Sequence, residues 1–450
     1  MFPVKRFPAA KREEKRVRYE RFARFGGGGS GCLRATGGEN CDCSDGSIRP
    51  GIGLTESEFS ALVSTLPHPP DRFLCFPAHG ENEEKFFVSL SNGRVYVYDG
   101  SQDEFVEAYC QLDPPMCWTI VRNGEGEPEI AVGDGLDIWR YDRETGFFVR
   151  QYEFIPSALC FFGERLFAAE GERVHYSAPL APFDFAESAD EGGYVDFPSD
   201  DGGILALSAL ADGVYAFRAR SVFRLKADGA GRDFASEKIG YGGGEIYGVS
   251  EGLPDGKIYL LSSDGLYAFD GKKFSAVCPA APLSPFPGEA RFGRIGGKTA
   301  VAYVSDDAGG KRVFVFDGEA GEGYFSSLPA DGFSGTGGGV FCVAEGSVAE
   351  VAAGGTLPEG EEFVFVAEHL DFGAGGRKFW KELDRRGEGS CTAEIGNENG
   401  EKRTFSFDLQ SGCARVLPLL PGREFSLRIS LSPGAAVTGA EAVFLTSSDK

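Results

Sequence analysis

The chain has 450 residues, with 68 Asp and Glu against 45 Lys and Arg, a formal charge of −23, and 42% hydrophobic residues. That supplies a large core, the apolar runs are too short to cross a bilayer, and an acidic body argues against general duplex binding, because phosphate contacts need Lys and Arg. Sixty-five Gly and 39 Phe, with only 2 Met, suit a turn-rich β protein with phenylalanines packed between sheets.

The charge is unevenly placed. Residues 1–25 carry nine Lys/Arg against three acids, a net of +6, which leaves 36 bases against 65 acids, −29, in the rest. This N-terminal stretch has no apolar core of a secretory signal and reads as a basic arm. Its Lys5, Arg6, Lys11, Arg12, Lys15, Arg16, Arg18, Arg21 and Arg24 are the candidate partner-docking residues. Residues 26–66 follow as a Gly-rich segment, an extended stretch suited to completing a terminal blade, and a short helix over 54–66. Thr55 is the expected N-cap of that helix, with Glu58 three residues on.

From 67 to 360 the chain repeats itself. "LLSSDGLYAFDGKKFSAV" (260–277) spells strand, turn, strand, turn, strand, and six further stretches spell the same. Asn-Gly and Asp-Gly suit two-residue hairpin turns because they tolerate positive φ. The first apolar residue after the first turn of each copy is Val95, Ile138, Val174, Val222, Leu266, Val313 and Val348. The spacing is roughly 40 residues with four strands per unit, which predicts an all-β fold: a β-propeller of about seven blades, six to eight being compatible with the degenerate last copy. From 361 to 450 the alternating strands lengthen, predicting a C-terminal β-sandwich in which "FGAGGRKFWKEL" joins the first two strands.

Motifs for chemistry are missing from the sequence. It holds no P-loop or HExxH, so no catalytic residue and no cofactor is assigned. Eleven cysteines and four histidines form no metal-ligand spacing; Cys41 and Cys43 lie one residue apart, and most cysteines read as small buried hydrophobes. The acidic turns 305–310 and 141–146 offer oxygens to calcium, but Asp favours turns through its own backbone hydrogen bonds.

The order of features resembles a known group. "ENCDCSDGSIRPGIGL" (39–54) contains N-x-x-x-x-x-G-x-x-R-P-G, and "ALCFFGERLFAAEGERVHYSAPLAPFDF", "IYLLSSDGLYAFDG" and "GREFSLRISLSPGAAVTGAEAVF" follow. This resembles the β-propeller tail proteins of tailed phages, the nozzle or tail-hub group that helps retain packaged DNA, over about Phe25 to Phe444; "CDCSDG" departs from it. The resemblance implies a non-enzymatic virion protein made in the bacterial host cytoplasm, with tail and adaptor proteins as partners. It implies a homo-oligomeric ring, a hexamer in the nozzle group, around DNA that passes without sequence-specific contact and without a membrane span. A propeller lectin or adhesin for host glycans is the alternative, and a glycoside-processing enzyme a third reading.

Overall fold

The computed structural model describes residues 12–25, 31–76, 85–112, 117–142, 145–153, 155–186, 192–197, 201–227, 234–252, 255–285, 290–305, 310–335, 339–344, 346–372, 377–408 and 413–447. The hairpins form for local reasons that the stretch ending at Val277 shows well. Strands Ile258–Ser262, Gly265–Phe269 and Phe274–Val277 pair antiparallel in succession. In the first turn Asp264 accepts the Gly244 N–H at 2.8 Å and the Tyr267 hydroxyl at 2.9 Å. In the second, one oxygen of Asp270 accepts the N–H groups of Lys272 and Lys273 at 3.0 and 2.9 Å. The turn acids are thus taken up by donors of the same turn and, for Asp264, by a backbone N–H twenty residues back in the chain.

Seven such four-stranded sheets follow one another. Their first strands are Pro70–Phe76, Cys117–Arg122, Ala158–Phe162, Ala206–Leu210, Ile246–Val249, Arg291–Ile295 and Ala330–Gly335. From the second sheet to the seventh each first strand touches the next, and the seventh touches the first, so the seven surround one axis. This is a β-propeller. Val95, Ile138, Val174, Val222, Leu266, Val313 and Val348 all stand on the third strands, and all seven are buried. The fourth strand of the seventh sheet is Ile52–Thr55, the extended segment expected to complete a blade.

By contact density the chain divides into two compact units, 55–313 with 329–351, and 1–54 with 314–328 and 352–450. The first unit is held together by apolar layers between neighbouring sheets. Phe59 is 1% exposed and packs against Phe73, Phe86, Tyr98, Phe105 and Phe341, with centroids 4.6–6.0 Å apart. Burying a Phe contributes about 1.5–3 kcal/mol. Phe59 reaches this site from helix Glu58–Val63, whose N-cap is Ser57 rather than the expected Thr55. The Ser57 hydroxyl accepts the Phe59 N–H, whereas the Thr55 hydroxyl is drawn away to the Glu350 carbonyl.

The second unit is a β-sandwich. One sheet orders Phe363–Leu370, Phe425–Leu431, Ser390–Asn397 and Lys402–Asp408; the other orders Arg12–Tyr19, Ala436–Ser447, Lys378–Glu388 and Cys413–Val416, with Leu420–Gly422 also on Lys378–Glu388. Between them lie Phe365, Trp380, Leu383, Phe425 and Ile429, each at most 2% exposed. Two sequence expectations change here. The stretch expected to link strands contains an eleven-residue strand, Lys378–Glu388, the spine of its sheet. Its Lys, Glu and Asp mask an alternation that buries Lys378, Trp380, Leu383 and Arg385 around a bulge. The basic segment is not a solvated arm throughout, because Arg12–Tyr19 is an edge strand of the sandwich in full register with Ala436–Ser447.

Candidate functional site

The structure uses several of the expected docking residues to build the fold. Arg16 and Arg18 reach across the sheet to Glu441 at 3.3 and 2.9 Å. Arg16 also meets Glu14 at 3.2 Å, and Glu14 holds Lys381 at 2.8 Å. Hydrogen bonds from Lys381 and Arg16 keep the Glu14 carboxyl below its ordinary pKa. Arg24 is buried; its guanidinium donates to the Gly38 carbonyl, while Glu322 accepts the N–H groups of Arg24 and Phe25, each at 3.0 Å. Burial lowers the Arg24 pKa, against the partial compensation of Cys43, Cys41, Glu39 and Glu322 nearby. Lys15 and Arg21 are exposed. Arg12 lies on the edge strand, and Lys5, Arg6 and Lys11 lie outside the described residues. The charges expected to form one docking surface therefore serve at least two different tasks inside the sandwich unit.

The stretch that carries the resemblance is a brace in the same unit. Asn40 is fully buried. Its Oδ1 accepts the Ser327 N–H at 2.7 Å, and its Nδ2 donates to the Glu362 carbonyl at 3.1 Å. Its own N–H donates to Phe325 at 2.8 Å, and its carbonyl accepts the Gly51 N–H at 2.6 Å. A Cβ at Gly51 would collide with the Tyr324 ring, whose hydroxyl takes the Ile52 N–H at 3.0 Å. Gly46 has φ +84°, a conformation costly for other residues. Asn, both glycines and the bend between them are thus required by backbone geometry. Cys41 and Cys43 are buried there as free thiols, and desolvation pushes the Cys41 thiol up to about 12.

A cavity of about 640 Å³ opens on the propeller axis, lined by the first strands of the first, second, sixth and seventh sheets and by the end of the fifth sheet's first strand. Arg72, Arg291 and Arg294 line it from two of these strands, with Asp71, Asp331 and Glu251. Arg72 lies with its guanidinium carbon 5.3 Å from the Trp118 ring centre and its Nε 3.6 Å from Asp71. Asp331 pairs with Lys311, which lines an adjoining recess of about 180 Å³ shared by Asp71, Arg291 and Asp331. Ser334 accepts the Cys75 N–H at 2.9 Å. Glu251 is open to solvent yet enclosed by the inner strands, and desolvation raises its carboxyl above the ordinary range. Sequence reading passed over these residues although a signal existed, since "PDRFLCF" and "RFGRI" put arginines in strands whose counterparts "ALCFF", "ALSAL" and "IYGV" carry no charge.

Among the described residues no group of three or more His, Cys, Asp and Glu is placed to hold a metal ion, and no helix is long and apolar enough to cross a membrane. Of the two acidic turns, 305–310 lies largely outside the described residues and 141–146 partly outside them.

No protein-family model matches the chain, and no curated protein matches it. Among solved structures it is similar to the WD40 repeats of RRP9 (12% identity, 63% of this chain and 98% of that one, TM-score 0.41). It is also similar to BBS1N from a complex with ARL6DN (11% identity, 70% and 98%, TM-score 0.44). A third likeness is to the extracellular domain of BT4673 from B. thetaiotaomicron (8% identity, 86% and 57%, TM-score 0.47). Similarity this distant concerns the fold alone; the propeller stands on its own sheet order.

Proposed function

We propose that the chain is a non-enzymatic structural protein of a phage tail, nozzle- or hub-like, that assembles with copies of itself around the DNA passage and joins neighbouring tail components. The observation that carries this reading is the use of the Asn40–Gly51 stretch. The residues that resemble the tail proteins are spent on holding the chain's own backbone, as an architectural motif requires, rather than presented to a ligand. The charge supports the same reading, because a wall with an excess of carboxylates repels phosphates and lets a duplex slide past. In this reading its partners are tail and adaptor proteins, and its place is the virion after synthesis in the host cytoplasm.

Two measurements test it. Light scattering of the purified chain with a DNA-free tail fraction should give a closed ring of about six copies of 48.2 kDa. Peptide mass spectrometry of particles purified from the producing strain should find the chain in stoichiometric amount with tail proteins. Complete, infectious particles that lack it would overturn the proposal.

A further inference from the structure

We propose that the axial cavity of the propeller unit is a binding site for a small polyanion, an organic molecule carrying at least two carboxylate or phosphate groups. The argument begins with charge. The whole chain carries 68 acids against 45 bases. The cavity and its recess reverse that balance, with Arg72, Arg291, Arg294 and Lys311 against Asp71, Glu251 and Asp331 among the described residues. Four cations gathered around the cavity and its recess reject the cations that the acidic surface attracts, and they favour an anion that has passed an unfavourable outer field.

The side-chain types and the space specify the ligand further. Guanidinium groups present forked donors that match carboxylate and phosphate oxygens in pairs. Arg72 comes from the first sheet, Arg291 and Arg294 from the first strand of the sixth and Lys311 from the third strand of the sixth, so the cations approach from more than one side. That arrangement suits a molecule with separated anionic groups better than a single ion. The cavity, about 640 Å³, falls within the range of about 300–1,000 Å³ usual for small-molecule sites. Trp118 and Phe333 supply apolar wall for the body of the ligand, and Thr299, Ser250 and Ser334 add hydroxyls. This inference is independent of the tail reading, since it concerns one unit of one copy.

The test is calorimetric titration of the full chain with citrate and, separately, with pyrophosphate, at low and moderate salt. At least one probe should bind one saturable site and weaken as salt rises. Arg294→Gln, at an exposed position, should weaken it about tenfold with an unchanged melting temperature, and Arg291→Met should do the same. If Arg291→Met fails to fold, Arg294→Gln decides alone. Citrate without pyrophosphate assigns carboxylates, and the reverse assigns phosphates. No saturation by either probe at millimolar concentration, or binding that both folded variants retain, overturns the proposal.

Discussion

Replacing Asn40 by Ala should destabilise the sandwich unit by an amount that can be worked out from its contacts. The substitution strips the Ser327 N–H of its acceptor and the Glu362 carbonyl of its donor. An orphaned buried group costs about 1–3 kcal/mol, and because Ser327 is half-buried and Glu362 exposed, about 1 kcal/mol each is expected. Asn40 also sits at φ 61°, where Asn is tolerated and Ala costs roughly 1–2 kcal/mol. The total for Asn40→Ala is about 3–4 kcal/mol, whereas Asn40→Gly loses the hydrogen bonds without the strain and should cost only about 2 kcal/mol. Urea unfolding followed by fluorescence reports this cleanly. Trp380 is buried in the sandwich unit, and Trp118 and Trp139 belong to the other, so a Trp118→Phe, Trp139→Phe background isolates the signal. Equal effects of the two substitutions would refute the strain argument, and both lying within about 0.5 kcal/mol of the parent would refute the brace itself.

Two further outcomes are expected. Compared with a chain starting at Arg12, one starting at Glu20 loses the edge strand and the Arg16 and Arg18 pairs with Glu441. Its Trp380 transition, followed by scanning fluorimetry, should fall by about 2–8 °C, the shift that ~1–2 kcal/mol produces in a unit of this size. Buried thiols should also make the fold sensitive to alkali. Burial pushes Cys41 up to about 12, so an unfolded chain releases that proton near pH 9 while the folded chain keeps it. The stability is fully present below pH 9 and is lost as pH rises towards 12. At pH 10.5 the loss from this one thiol is about 2 kcal/mol, so Cys41→Ala should flatten the fall in unfolding free energy measured between pH 8.5 and 10.5.

What could be read from the sequence was local. Val95 to Val348 mark the third strands because alternation and Asp-Gly turns act over a dozen residues, and most residues that set each hairpin lie within it. Partners remote in the chain left no such trace. Nothing in "REEKRVRY" tells that it will pair with Ala436–Ser447, since charges on both faces of an edge strand keep the edge soluble and make it look like a tail. Ser57 took the cap from Thr55 because Glu350, almost three hundred residues away, claimed the Thr55 hydroxyl. The cavity arginines were visible as residues but not as a group, because only ring closure sets Arg72 and Arg291 around the same space.

The pairing of the first described strand with the last has a consequence for biosynthesis. Arg16 and Glu441 are 425 residues apart. At a synthesis rate of about 5–20 residues per second, the N-terminal strand waits roughly 20–90 s for the strand it must pair with. During that time its charged edge has no strand to pair with, and the sandwich cannot finish until Ser447 has left the ribosome. Six propeller sheets, whose strands are consecutive, face no such wait, while the seventh holds Ile52–Thr55 in reserve for Ser347–Ala353, so the order of completion is written into the connectivity: six blades first, the seventh next, the sandwich last.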